Sequence, residues 1–191
     1  MRHTSVILAV AAFALGGLVG AYALLAERPV ERGAVAGTIR PAWSEAHWPF
    51  PMDQWGKGKA FRCKSSDCGA EVTVYLRAKI GFCNCATGVA DDEELDRISD
   101  YDLLGNKLAA LGPWRPIAVG WMKGRSRAFT FDGEQPPAKS ALSVGFNDRC
   151  DAVVATAVLG QEQQPTVIEP AVLEFLNSKT VLQWVEVTLG L

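Results

Sequence analysis

The uninterrupted apolar and small-residue run from Val6 to Ala26, preceded by Met1, Arg2 and His3, most constrains this chain. It reads as an export or anchoring signal. That takes it out of the folded domain and decides how every later cysteine is interpreted. Ala21-Tyr22-Ala23 fits the small-x-small pattern that signal peptidase cuts after, which would release a mature protein from Leu24. The run is also as long as the roughly 20 residues that span a bilayer as a helix, and it exceeds the usual apolar centre of a cleaved signal. The anchor is the preferred reading, with the following domain exported: inner membrane, single-pass, with a periplasmic C-terminal domain. Secretion to the periplasm is the alternative. Gly16 and Gly20 form a GxxxG pair, but glycine is common in such segments and the pair carries no further expectation.

Residues 27–39 alternate charge with Gly and Ala and read as a linker. Residues 40–191 are expected to form one globular domain, long enough to bury a real core. The net charge of −2 gives no electrostatic footprint for nucleic acid. No Walker loop, dinucleotide fingerprint, H-E-x-x-H or C-x-x-C-H is present, so no cofactor is expected. Beyond the N-terminal run the only histidine is His47, among aromatics beside Glu45, where packing explains it better than catalysis. Asp91, Asp92, Glu93 and Glu94 lack the calcium-loop pattern and suit a solvated helix start.

Between residues 40 and 56, Trp43, Trp48, Phe50 and Trp55 alternate with Pro41, Pro49 and Pro51. The prolines exclude a regular helix, so an extended segment should clamp its aromatics onto the core. Lys59–Cys63 and Glu71–Ile80 read as a strand pair. In the second, Val72, Val74 and Leu76 alternate with Thr73, Tyr75 and Arg77. Asp91 with Glu94 predicts a capped helix. Ser99 or Asp100 should start a second, carrying Leu103, Leu104, Leu108 and Leu111 as far as Gly112-Pro113. Ile117–Trp121 and Ala128–Phe131 read as strands joined by a turn at Lys123-Gly124. Ala141–Phe146 and Ala152–Leu159 follow, separated by Asn147-Asp148. Pro170 should lie near the start of a helix through Leu176, and the Val and Thr content of Val181–Leu189 suggests a last strand. The expected class is α+β, a mostly antiparallel sheet with a few packed helices. The order of elements resembles the PsbP-type α/β sandwich of exported and lumenal proteins, a resemblance of architecture that carries no function.

The cysteines are Cys63, Cys68, Cys83, Cys85 and Cys150. In an exported domain they should form disulfides: Cys63 with Cys68, and one of Cys83 or Cys85 with Cys150, leaving an inert thiol. Two other readings compete. Cys63, Cys68, Cys83 and Cys85 could hold zinc if the domain faces the cytoplasm, although C-x4-C and C-x-C depart from ribbon spacing. Cys83 and Cys85 could perform thiol–disulfide exchange, although no C-x-x-C exists.

Arg125 and Arg127 would share one strand face and could hold a small anionic ligand in bidentate geometry; a charged edge strand that blocks aggregation is the preferred reading of the pair. Trp48 is the aromatic candidate for a partner face. A non-catalytic domain working through an unknown protein or small anionic ligand, with membrane attachment through residues 6–26, is the leading expectation.

Overall fold

Alternation of apolar and polar residues drives this chain into one antiparallel sheet whose two faces are covered differently. A computed structural model describes residues 41–105, 108–131, 139–160 and 164–191, all within a compact unit, Ile39–Leu191. The apolar run, the linker and the membrane attachment expected of them lie outside the described residues. No helix among the described residues is long and apolar enough to cross a membrane.

The strands are β1 (Trp43–Ala46), β2 (Lys59–Cys63), β3 (Val72–Lys79), β4 (Leu108–Ala110), β5 (Arg115–Val119), β6 (Met122–Phe131), β7 (Lys139–Asp148) and β8 (Asp151–Leu159). They form one sheet in the order β1-β2-β3-β8-β7-β6-β4, with β5 also on β6 and every pairing antiparallel. The helices are α1 (Ser65–Cys68), α2 (Asp92–Ile98), α3 (Pro165–Leu176) and α4 (Lys179–Leu189), with a 3-10 turn at Tyr101–Leu103. The fold is α+β, as the element pattern predicts.

The register sorts the faces, because alternate residues of a strand point to opposite sides. Val74, Ala157 and Leu142 lie across from one another, as do Leu76, Ala155 and Val144. They pack with Ile168, Val172, Phe175 and Leu176 of α3 and with Val181 and Val185 of α4. The other face carries Tyr75, Arg77 and Lys79 of β3, Ser143 and Gly145 of β7, and Arg125 and Arg127 of β6. There α2 packs Leu95 and Ile98 with Ala152, Val154, Val89 and Cys83. Gly145 admits that helix: a Cβ there would stand 2.8 Å from both Leu95 and Ile98.

Several elements differ from expectation, each for a local reason. Leu108–Ala110 is a strand, because the open edge of β6 from Phe129 to Phe131 takes up its backbone groups. Asp100 makes no side-chain cap; Asp91 does cap α2, accepting from the Glu94 N–H. Val181–Leu189 is a helix, not a strand. Ser178 accepts from the Val181 N–H, Gly190 closes the end at φ 71°, and the buried pair Val181 and Val185 has helical spacing. That packing outweighs β-branched propensity. Pro165 starts α3, and Pro170 lies inside it.

The β5–β6 turn is Gly120-Trp121, not Lys123-Gly124: Val119 pairs with Met122, and Gly120 adopts φ 56°. The β7–β8 turn is Arg149-Cys150, not Asn147-Asp148. Asn147 is spent on the ladder and accepts from the Val89 N–H at 2.9 Å.

Candidate functional site

The chemistry of this domain concentrates on the sheet face that carries α2. Cys63 and Cys68 form a disulfide that closes the β2–β3 connection. Cys85 and Cys150 form a second, tying the loop after β3 to the β7–β8 turn across 65 residues. Cys83 is free and buried. Its N–H donates to the Cys150 carbonyl at 3.0 Å and its thiol to the Arg149 carbonyl at 3.2 Å. Burial pushes the Cys83 thiol up to about 11, and the Glu94 and Asp151 carboxylates act in the same direction. The two cysteine pairs of the zinc reading sit beyond opposite ends of β3, which spans about 26 Å at about 3.3 Å per residue.

The polar face of β3 holds an ion network centred on the buried Arg77. Arg77, 2% exposed, donates through Nε to Asp100 at 3.0 Å and through Nη2 to the other oxygen of the same carboxylate. Its Nη1 reaches Asp53 at 2.5 Å, and Lys79 Nζ lies 2.8 Å from Asp100. The two buried cations are balanced by the buried Asp100 and the half-exposed Asp53. Burial alone would weaken the charge of Arg77, but its bonds to Asp100 and Asp53 prevail and its pKa is raised. Burial likewise opposes the Asp53 carboxylate, yet the Trp55 N–H and Arg77 hold it below its usual range. The available signal was the period of two that puts Arg77 and Lys79 on one face of a strand. The partner aspartates come from distant loops, and nothing local announces them.

Trp48 is buried, 8% exposed, edge-on to Phe50 at 5.2 Å and Tyr75 at 5.9 Å. It is packed among these aromatics. Trp43 stacks on Phe175 at 4.5 Å, and Trp55 meets Phe82 at 4.6 Å with the rings tilted by 53°.

Arg125 and Arg127 do share a face of β6, but α2 separates their roles. Arg127 lies 3.5 Å from Asp92 and 3.6 Å from Asp96 and also donates to the Gly112 carbonyl. Among the described residues Arg125 has no carboxylate partner. Its guanidinium lies 3.2 Å over the centre of the Trp114 ring, and its buried Nη1 has no hydrogen-bond partner. Nothing in the local sequence marks Trp114, which follows Gly112-Pro113 in a loop with no periodicity.

An open cleft of 530 Å³ lies between Trp121, Asp148, Arg149, Glu186 and Leu191. Asp148 accepts from the Trp121 indole at 3.3 Å and pairs with Arg149 at 3.7 Å, so its polar groups are largely engaged with one another. No cluster of three or more His, Cys, Asp or Glu side chains able to hold a metal ion occurs among the described residues.

Comparison of the chain with protein-family models, with curated proteins and with solved structures finds no match in any of the three.

Proposed function

We propose that this chain is an exported domain, tethered to an inner membrane by residues 6–26 or released into the periplasm, that binds a partner and does not catalyse. The carrying observation is the state of the cysteines: four are in disulfides, and the fifth is buried with its thiol pushed up to about 11. Disulfides persist in oxidising compartments, which agrees with reading Val6–Ala26 as an export signal or anchor.

The same observation speaks against thiol–disulfide exchange through Cys83 and Cys85. Exchange needs an accessible thiol with a lowered pKa; Cys83 is enclosed and shifted the other way, and Cys85 is bridged to Cys150. A zinc module would need all four of its ligands reduced and together, whereas Cys63 and Cys68 are bridged to each other. The PsbP-type sandwich lends an analogy of layers and no activity.

The test is the intact mass of native protein alkylated under denaturing conditions without reductant. One label is expected. Four or five labels overturn the export reading and bring the thiolate metal site forward. The same mass shows whether residues before Leu24 remain attached. Alkylation at pH 8 without denaturant should leave Cys83 unmodified; rapid native labelling would restore the redox reading.

A further inference from the structure

The domain gives almost every arginine a carboxylate. Arg62 faces Glu71, Arg77 faces Asp53 and Asp100, and Arg97 faces Glu94. Arg115 faces Glu169, Arg127 faces Asp92 and Asp96, and Arg149 faces Asp148. Arg125 stands apart among the described arginines. It is half-buried in mid-strand, so its charge has lost part of its water, yet no carboxylate of the described residues replaces that water. Its two cross-strand neighbours, Pro116 and Gly145, offer no polar side chain. The Trp114 ring lies against the guanidinium in a cation–π contact, 3.2 Å from ring centre to the guanidinium carbon. One face is thereby covered and Nη1 is closed off, and the guanidinium's remaining edge is left for a ligand. Lys123, two residues before it on the same face and exposed, adds a second positive charge with no ion pair among the described residues.

We propose that Arg125, oriented by Trp114 and assisted by Lys123, is the binding site for a carboxylate-bearing ligand. The chemistry follows from the shape of the donor. The planar guanidinium fork presents parallel N–H groups in one plane, which a planar carboxylate meets with both oxygens. This site rests on the reading of the domain as a binding module and names the ligand chemistry of that reading.

The experiment uses the full chain in detergent, with its disulfides intact and nitrogen-15 labelled. The Arg125 Nε–H and Trp114 indole signals are followed during titration with sodium acetate, with sodium chloride at equal ionic strength as the control. A second titration uses a tetraglutamate peptide. Saturable shifts with acetate or peptide, absent with chloride, are expected. Charge-assisted hydrogen bonds to arginine imply that R125Q weakens binding about tenfold or more. R125K, which keeps the charge but loses the fork, should weaken it clearly while leaving the rest of the spectrum unchanged.

A peptide no tighter than acetate identifies a small-molecule carboxylate as the ligand. A peptide at least about tenfold tighter, with the gain lost in K123Q, identifies an acidic protein segment. No saturation by either probe, shifts that persist in R125Q, or full binding by R125K overturns the proposal. Flat titrations together with a single alkylatable cysteine reject this site alone. Reduced cysteines reject the export reading whatever the titrations show.

Discussion

Reducing the Cys85–Cys150 bridge should cost about twice as much stability as reducing Cys63–Cys68. The two bridges close loops of very different length, with sequence separations of 65 and 5 residues. A cross-link removes conformational freedom from the unfolded chain in proportion to the logarithm of the loop it closes. That gives about 4 kcal/mol for the long bridge and about 2 kcal/mol for the short one. The free thiol complicates the assay, because the Cys83 N–H already bonds the Cys150 carbonyl at 3.0 Å and Cys83 could inherit Cys150 as a partner. Both measurements therefore belong in a C83A background. With Cys63 and Cys68 also replaced by Ala, urea unfolding before and after reduction isolates the long bridge without removing atoms. With Cys85 and Cys150 replaced instead, it isolates the short one. At an m of about 2 kcal/mol/M the expected midpoint losses are about 2 M and about 1 M. Equal losses, or a larger loss from the short bridge, would refute the loop-entropy argument.

Four further outcomes are expected. D100N should lose about 3–5 kcal/mol in denaturant unfolding, because Arg77 and Lys79 are left buried with only the half-exposed Asp53. Replacing Arg77, Lys79 and Asp100 together with Met, Met and Leu should cost less than D100N alone. Glu94 is held below its ordinary 4.5 first by its hydrogen bonds to Arg97, against a burial cost, and also by the Asn84 N–H. A lowered folded pKa means stability that is present above 4.5 and lost as pH falls through the folded value. Unfolding titrations between neutral pH and pH 3 should therefore show a shallower acid loss in E94Q. G58A should lower the melting temperature by several degrees. A Cβ there would stand 2.4 Å from the Leu76 carbonyl and 2.5 Å from the Trp48 ring, and backbone cannot retreat as a flexible side chain can.

The ladder of the sheet was legible wherever one face is apolar and the other polar. Val72, Val74 and Leu76 point into the α3–α4 layer, as their alternation predicts. The local disulfide was legible because five residues of separation leave the two cysteines little choice of partner, and the class α+β follows from the element pattern. The last element was misread because Val and Thr prefer strands in isolation. Packing of Val181 and Val185 against the sheet reverses that preference, and packing is a property of neighbours.

The same division holds for the sites. By itself the sequence determined which side chains carry charge or sulfur and which faces of the strands they occupy, since a period of two needs only the chain. Only the tertiary structure decided that α2 brings Asp92 and Asp96 to Arg127 but nothing to Arg125, and that Asp53 and Asp100 come to Arg77 from distant loops. It likewise chose Cys85 over Cys83 for Cys150. Those pairings join groups 23 or more residues apart. Local propensity ends within a few residues, so only the packing of helices and loops on the finished sheet selects which charge meets which.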